Sequence, residues 1–261
     1  MSDRHPILPG AEAWSAAGSG ARASVAIVVS HGFTGNPNST RPLGEALAAK
    51  GFAVDVVRLP GHGTHWRDMA RTRYAAWRDE VARAVDAQHG AGKRVVVVGL
   101  SLGGTIALDL AATKPDRVAA IVPINGTVLD REGLLAKVAP LLEKVIPVVP
   151  SGMAGLAEND IAKGGDEKAY PMVPTKAAGS VLRELARIRA GLARITIPAL
   201  VAYSPQDHSV PPENSQAMLR MMSAADVTEL RLERSYHVAT LDHDFDLLVD
   251  GITALGERVA T

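Results

Sequence analysis

Apolar positions along the chain fall into two patterns, short continuous runs and stripes at helical spacing. Val25 to Ser30, Phe52 to Leu59, Val95 to Val98, Val118 to Ile124, Ile197 to Tyr203 and Val227 to Leu232 have the length and β-branched character of strands. Between them, Leu43, Ala46, Leu47 and Ala49, with Gly51 as a stop, predict a helix over 39–50. Trp77, Val81 and Val85 share one face of a second helix over 74–89 that Gly90 and Gly92 end. Thr105 to Ala112, Val181 to Leu192 and Phe245 to Val259 read as further helices, and the Pro- and Gly-punctuated residues 1–23 as an irregular or edge-strand lead-in.

Strands that alternate with helices imply right-handed crossovers and a mostly parallel sheet flanked by helices, an α/β fold that binds ligands beyond the strands' carboxyl ends. From Thr127 to about Ala178 the alternation breaks. Leu134, Val138, Leu141, Leu142 and Val145 form a stripe interrupted by Pro140, and Pro147, Pro150, Gly152, Gly155, Gly164 and Gly165 follow. An insertion of this length between sheet strands is placed over the carboxyl ends, so the expected organisation is a core of residues 1–126 and 179–261 with a small cap insertion at 127–178. The stripe reads either as core packing or as the wall of an acyl pocket.

Composition narrows the class. The 261 residues suit one large α/β domain. Lys plus Arg and Asp plus Glu are both 28, and no basic cluster forms a track for phosphates, which argues against a nucleic-acid partner. The absence of cysteine rules out disulfides and thiolate chemistry. The N-terminal residues lack an apolar targeting core, and no run approaches the ~18 apolar residues of a membrane span. The expectation is a cytoplasmic protein with no integral membrane segment, transient contact with a lipid surface remaining open.

The chemistry centres on residues 95–104. Four valines lead into Gly99-Leu100-Ser101-Leu102-Gly103, a G-x-S-x-G pattern in the strand–turn–helix context that makes it a nucleophile elbow, with Ser101 lifted above the sheet. Read blandly, it is a Gly/Ser-rich connection without chemistry. The strand at 25–30 runs into His31-Gly32-Phe33-Thr34-Gly35. Acyl transfer at an elbow needs two N–H donors for the developing oxyanion, one after the nucleophile and one from this early loop, hence Leu102 and Phe33. Gly61-His62-Gly63-Thr64-His65 invites a metal reading, but no Cys and no carboxylate pair completes a ligand set, and no motif calls for a metal or cofactor.

A serine becomes a nucleophile only when a base takes its proton and an acid holds that base, in the chain order Ser, Asp/Glu, His. His237 follows the last strand, whereas His208 adjoins the better acid and His243 falls at the entry to the final helix. Among Asp109, Asp116, Asp130, Asp160, Asp166, Asp207 and Asp226, Asp207 lies one short turn beyond a buried strand, with Asp130 as runner-up.

Over nearly its whole length the sequence resembles bacterial monoacylglycerol lipases and related carboxylesterases of the α/β-hydrolase superfamily. The likeness is carried by 31–35, Arg41-Pro42-Leu43, 61–65, Gly99 to Gly104, Pro123-Ile124-Asn125, Asp207-His208-Ser209-Val210-Pro211-Pro212, and Ser235-Tyr236-His237-Val238-Ala239-Thr240-Leu241-Asp242. The resemblance implies a serine hydrolase with a Ser101–Asp207–His237 triad, oxyanion donors at Phe33 and Leu102, and a cap over an apolar acyl tunnel. Leu102 stands where close relatives carry Met, which leaves the acting backbone N–H unchanged. Glu167-Lys168-Ala169-Tyr170 is similar to the family's Glu-x-Ala-Tyr, whose glutamate lies near the glycerol head group, so Glu167 is a candidate for substrate binding; the other reading is a solvated carboxylate. The expected substrate is a small-molecule ester or monoacylglycerol. A generic short- or medium-chain carboxylesterase and a non-catalytic ligand-binding protein of the same fold are the alternatives.

Overall fold

A computed structural model describes residues 3–129, 143, 145–222 and 226–260. Its frame is a seven-stranded sheet in the order β1-β3-β2-β4-β5-β8-β9, made of Trp14–Ala16, Ala53–Val57, Val25–Ser30, Arg94–Leu100, Ala120–Ile124, Ala199–Tyr203 and Val227–Arg231. All neighbouring strands run parallel except β1, which pairs antiparallel with β3. The carboxyl ends of β2, β4, β5, β8 and β9 therefore open onto one edge.

Valine runs suit this frame because successive side chains point to opposite faces and both faces are covered. On one face Val95, Val97 and Ile121 pack with Trp77 and Val81 of α3 (Tyr74–Gly90), Ile106 of α4 (Leu102–Thr113) and Leu185 of α5 (Thr175–Gly191). On the other, Val96, Val98 and Val122 meet Leu43 and Leu47 of α1 (Arg41–Ala49) and Leu248 and Ile252 of α7 (Phe245–Ala260). The remaining α-helices among the described residues are the single turn α2 (Trp66–Met69) and α6 (Glu213–Met221). Asp109 of α4 ties three helices together: Arg187 forks onto it at 2.8 Å and 2.8 Å, Arg78 Nε reaches it at 3.0 Å, and the Tyr74 hydroxyl donates at 2.9 Å.

The differences from the sequence reading are local. α4 starts at Leu102 rather than Thr105, because the chain reverses at Ser101 directly into the helix. α5 starts at Thr175, inside the expected insertion, and Met172–Pro174 (β7) pairs antiparallel with Val148–Pro150 (β6) just before it. Of the apolar stripe, Leu134 to Leu142 lie outside the described residues, and Val145 is 74% exposed, so that residue is neither core nor pocket wall here. Asp130 also lies outside the described residues. Among those described, no helix is long and apolar enough to cross a membrane.

Candidate active site

Ser101 occupies the turn between β4 and α4 with φ 54° and ψ −115°, a region L-residues rarely enter and hold only where their surroundings enforce it. Close backbone packing is the enforcement. A Cβ on Gly99 would stand 2.0 Å from the Gly103 carbonyl carbon, and one on Gly103 would stand 2.3 Å from the Ser30 carbonyl oxygen. The Ser101 N–H donates to the Ile124 carbonyl oxygen at 2.8 Å, which fixes the turn to the end of β5.

The loop after β2 lies against this turn, since a Cβ on Gly32 would be 3.2 Å from Ser101 Cβ and 3.8 Å from Ser101 Oγ. His31 holds the loop. Its Nε2 accepts the Leu59 N–H at 3.1 Å, so the ring proton is on Nδ1, which donates to the Gly32 carbonyl oxygen at 2.9 Å. Burial lowers the His31 pKa to about 4, against the pull of that bond, and the ring is neutral near pH 7. Phe33 packs edge-on to Trp77 at 5.7 Å. Leu102 is the first residue of α4, where N–H groups have no carbonyl partner within the helix and the helix dipole favours negative charge.

Asp207 and His237 leave β8 and β9 and meet, with His237 Nδ1 2.7 Å from Asp207 Oδ2. The other oxygen of Asp207 accepts the Ser209 and Val210 N–H groups, both at 2.7 Å. The Asp207 side chain is 1% exposed and that of His237 12%. Burial pushes the His237 pKa down, but the Asp207 charge and hydrogen bond, followed by the charges of Glu167 and Asp160, outweigh it and leave the net shift upward. Because Nδ1 donates to the carboxylate, Nε2 carries the free lone pair. Among the described residues, Ser101 Oγ and His237 share no hydrogen bond; nucleophile and base often close to bonding distance only in the substrate complex.

Glu167 is half-buried, and burial raises the pKa of its carboxyl to about 6, offset in part by the charge of His237. The chain around it is fastened on both sides. Glu167 N donates to Asn159 Oδ1 at 3.0 Å, Asn36 Nδ2 donates to Lys168 O at 2.8 Å, and Tyr170 N donates to Thr34 O at 3.0 Å. The Tyr170 hydroxyl donates to Gly61 O at 3.0 Å and accepts Thr64 N–H at 2.7 Å. This run therefore lies on the loop that carries Phe33.

Of the other candidates, His208, His243 and Asp109 do not join the pair. His208 is exposed and bonded to Asp160, His243 is exposed, and Asp109 is committed to the helix cluster. His62 is buried beside Trp77, while His65 caps α2 and stacks on His5. Sequence reasoning missed the polar staples behind the site, chiefly Asn125 and Asp242. Both stand in the segments that carry the resemblance, but neither has a local pattern that marks its role. Asp242 accepts Tyr236 N–H at 2.9 Å and Ala162 N–H at 2.6 Å, joining the His237 loop to the 157–167 segment.

The profile of the Hydrolase_4 family, described as serine aminopeptidase S33, matches residues 21–244. The chain is 37% identical to the thermostable monoacylglycerol lipase of Bacillus sp. (strain H-257) over 261 residues, 96% of each chain. It is 26% identical to a carboxylesterase of Bacillus subtilis (strain 168), over 90% of this chain and 93% of that one. Among solved structures, one from work on LipS and LipT, two metagenome-derived lipolytic enzymes, superposes with a TM-score of 0.88 at 33% identity, covering 97% of this chain and 100% of the other. The strained serine turn, the buried acid–imidazole pair and these matches lead to one conclusion: the chain belongs to the Hydrolase_4 family and has the α/β-hydrolase fold.

Proposed function

We propose that this protein is a carboxylic ester hydrolase that works through an acyl-enzyme on Ser101, and that its substrates are monoacylglycerols, cleaved to fatty acid and glycerol. The observation that carries the reading is the buried Asp207–His237 bond of 2.7 Å at the sheet edge that also holds the strained Ser101 turn.

In this reading His237 Nε2 takes the Ser101 hydroxyl proton as Oγ attacks the ester carbonyl carbon. The backbone N–H groups of Phe33 and Leu102 receive the charge that builds on the carbonyl oxygen. Collapse of the tetrahedral adduct breaks the carbon–oxygen bond to the alcohol, which leaves with the proton from His237. Water then gives a proton to the same nitrogen and attacks the acyl-enzyme, and the acid departs as Ser101 regains its proton. Asp207 holds the tautomer throughout. Glu167, its carboxyl ionised above about pH 6, accepts hydrogen bonds from glycerol hydroxyls. Residues 127–178 act as the cap that lines the acyl site. The protein is cytoplasmic, touches lipid surfaces only in passing and binds no nucleic acid.

The likeness to the Bacillus sp. (strain H-257) monoacylglycerol lipase supports the substrate class. The test is turnover of 1-monooleoylglycerol, ethyl acetate and an amino-acid anilide by wild type and Ser101→Ala, with fluorophosphonate labelling of both. Wild type should label and prefer the monoacylglycerol, and Ser101→Ala should fold but lose about 10⁶ in rate. Equal rates on both esters reduce the assignment to a generic carboxylesterase, preference for the anilide makes it a peptidase, and a wild type that neither labels nor turns over is a binding protein.

A further inference from the structure

Asp207 and His237 sit on loops that leave different strands, so their hydrogen bond is only as good as the placement of two separate backbones. Asp160, a carboxylate outside the pair, touches both loops. Its Oδ2 accepts the His208 N–H at 3.1 Å and, more weakly, the His237 N–H at 3.3 Å. Its Oδ1 is 2.7 Å from His208 Nδ1, and its main-chain oxygen accepts the Val238 N–H at 3.0 Å. The residue is 6% exposed, so its own carboxylate is withdrawn from bulk water although the His208 ring is not.

The segment that carries Asp160 is anchored in turn. Ala157 N donates to Ser209 Oγ at 3.1 Å on the acid side. Ala162 N and Lys163 N donate to Asp242 at 2.6 Å and 3.1 Å on the base side. A buried carboxylate needs several donors to offset its desolvation, and here the donors are the backbones next to the acid and at the base.

We propose that Asp160 is a positioning residue for the reaction: it locks the Asp207 turn and the His237 loop at the separation in which acid and imidazole are bonded. The inference rests on the roles assigned to Asp207 and His237 above. A second effect follows from charge. The ionisable groups that act on His237 are Asp207, Glu167 and Asp160, and the carboxylate of Asp160 favours the protonated imidazole. The imidazole bonded to Asp160 is that of His208, while the His237 ring feels Asp160 through its charge.

Position and charge are separable by substitution in the full-length protein. Asp160→Asn keeps the shape and removes the charge, whereas Asp160→Glu keeps the charge and displaces it by one methylene. The readouts are kcat and KM on p-nitrophenyl butyrate against pH, thermal unfolding, and the downfield proton resonance of His237 Nδ1–H, identified by its loss in His237→Gln. A misplacement of about 1 Å is worth up to about 10²-fold in rate, so kcat should fall about 10- to 100-fold in both variants. KM should stay within about twofold.

The acid limb and the titration midpoint of the resonance should move to lower pH in Asp160→Asn and stay at the wild-type position in Asp160→Glu. Wild-type kcat and midpoint in Asp160→Asn overturn the proposal. So does a lowered unfolding temperature with unchanged kcat and midpoint below it, which would make Asp160 a fold residue. If Asp160→Asn does not fold, wild-type kcat in Asp160→Glu overturns it alone. A wild type that turns over no ester defeats the proposed function, and the resonance midpoint then decides the role of Asp160 by itself.

Discussion

Asn125 Nδ2 donates to the carbonyl oxygen of His237 at 2.8 Å, across a sequence separation of 112 residues. The same side chain accepts the Ser204 N–H at 2.8 Å, and the preceding carbonyl, Ile124 O, accepts the Ser101 N–H at 2.8 Å. The end of β5 is thus the common support for the serine turn, the strand leading to Asp207 and the loop of His237.

Loss of this amide should be felt in stability and in rate. Asn125 has φ 47°, which Asn tolerates better than most residues. Asn125→Ala loses the hydrogen bonds and strains the backbone, and urea denaturation should show a loss of about 2–4 kcal/mol. Asn125→Gly loses the same bonds without the strain and should be about 1 kcal/mol less destabilised. Equal losses would show that the backbone conformation contributes nothing.

The acid limb of kcat/KM should lie above the ordinary histidine value of 6.5, because the net shift of His237 is upward and only the neutral imidazole can accept the serine proton. Activity falls as pH drops through that raised value. Asp207→Asn removes the largest of the upward influences, so the limb should move to lower pH while kcat drops by about 10⁴. A limb that stays in place in this variant would remove Asp207 from the role of acid.

Glu167 should matter for the alcohol part of the substrate and little for the acyl part. On its pH plateau, Glu167→Ala should lose about 10- to 100-fold in kcat/KM on a monoacylglycerol, the worth of a hydrogen bond to a charged group. p-Nitrophenyl butyrate, with no glycerol, should change far less. Equal losses on both would confine Glu167 to an electrostatic influence on His237.

How much of this was legible beforehand depends on how far apart the cooperating residues are in the chain. The sheet could be read because Val25–Ser30 and residues 95–100 are buried on both faces and spell that out residue by residue. The serine turn could be read because its glycines and serine form one contiguous pattern, although the clash that a Cβ on Gly103 would make is with Ser30, distant in the chain. Asn125 and Asp160 give no such signal. Each is a short polar residue in a loop, and its partners, His237 for one and His208 for the other, lie dozens of positions downstream. Asp160 is among the candidate acids, yet nothing local shows that it meets the backbone N–H groups of His208 and His237. α4 begins at Leu102, ahead of the Thr105 that the sequence suggests, since packing against β4 and β5 outweighs the low helical propensity of Gly103 and Gly104.

The backbone at Ser101 carries one further implication. A residue held at φ 54° and ψ −115° gives up about 1–3 kcal/mol that a glycine would keep. Selection for thermal endurance alone would therefore favour glycine over the serine proposed above as the nucleophile. In the proposed mechanism, a position that costs the fold strain is also the one that reacts.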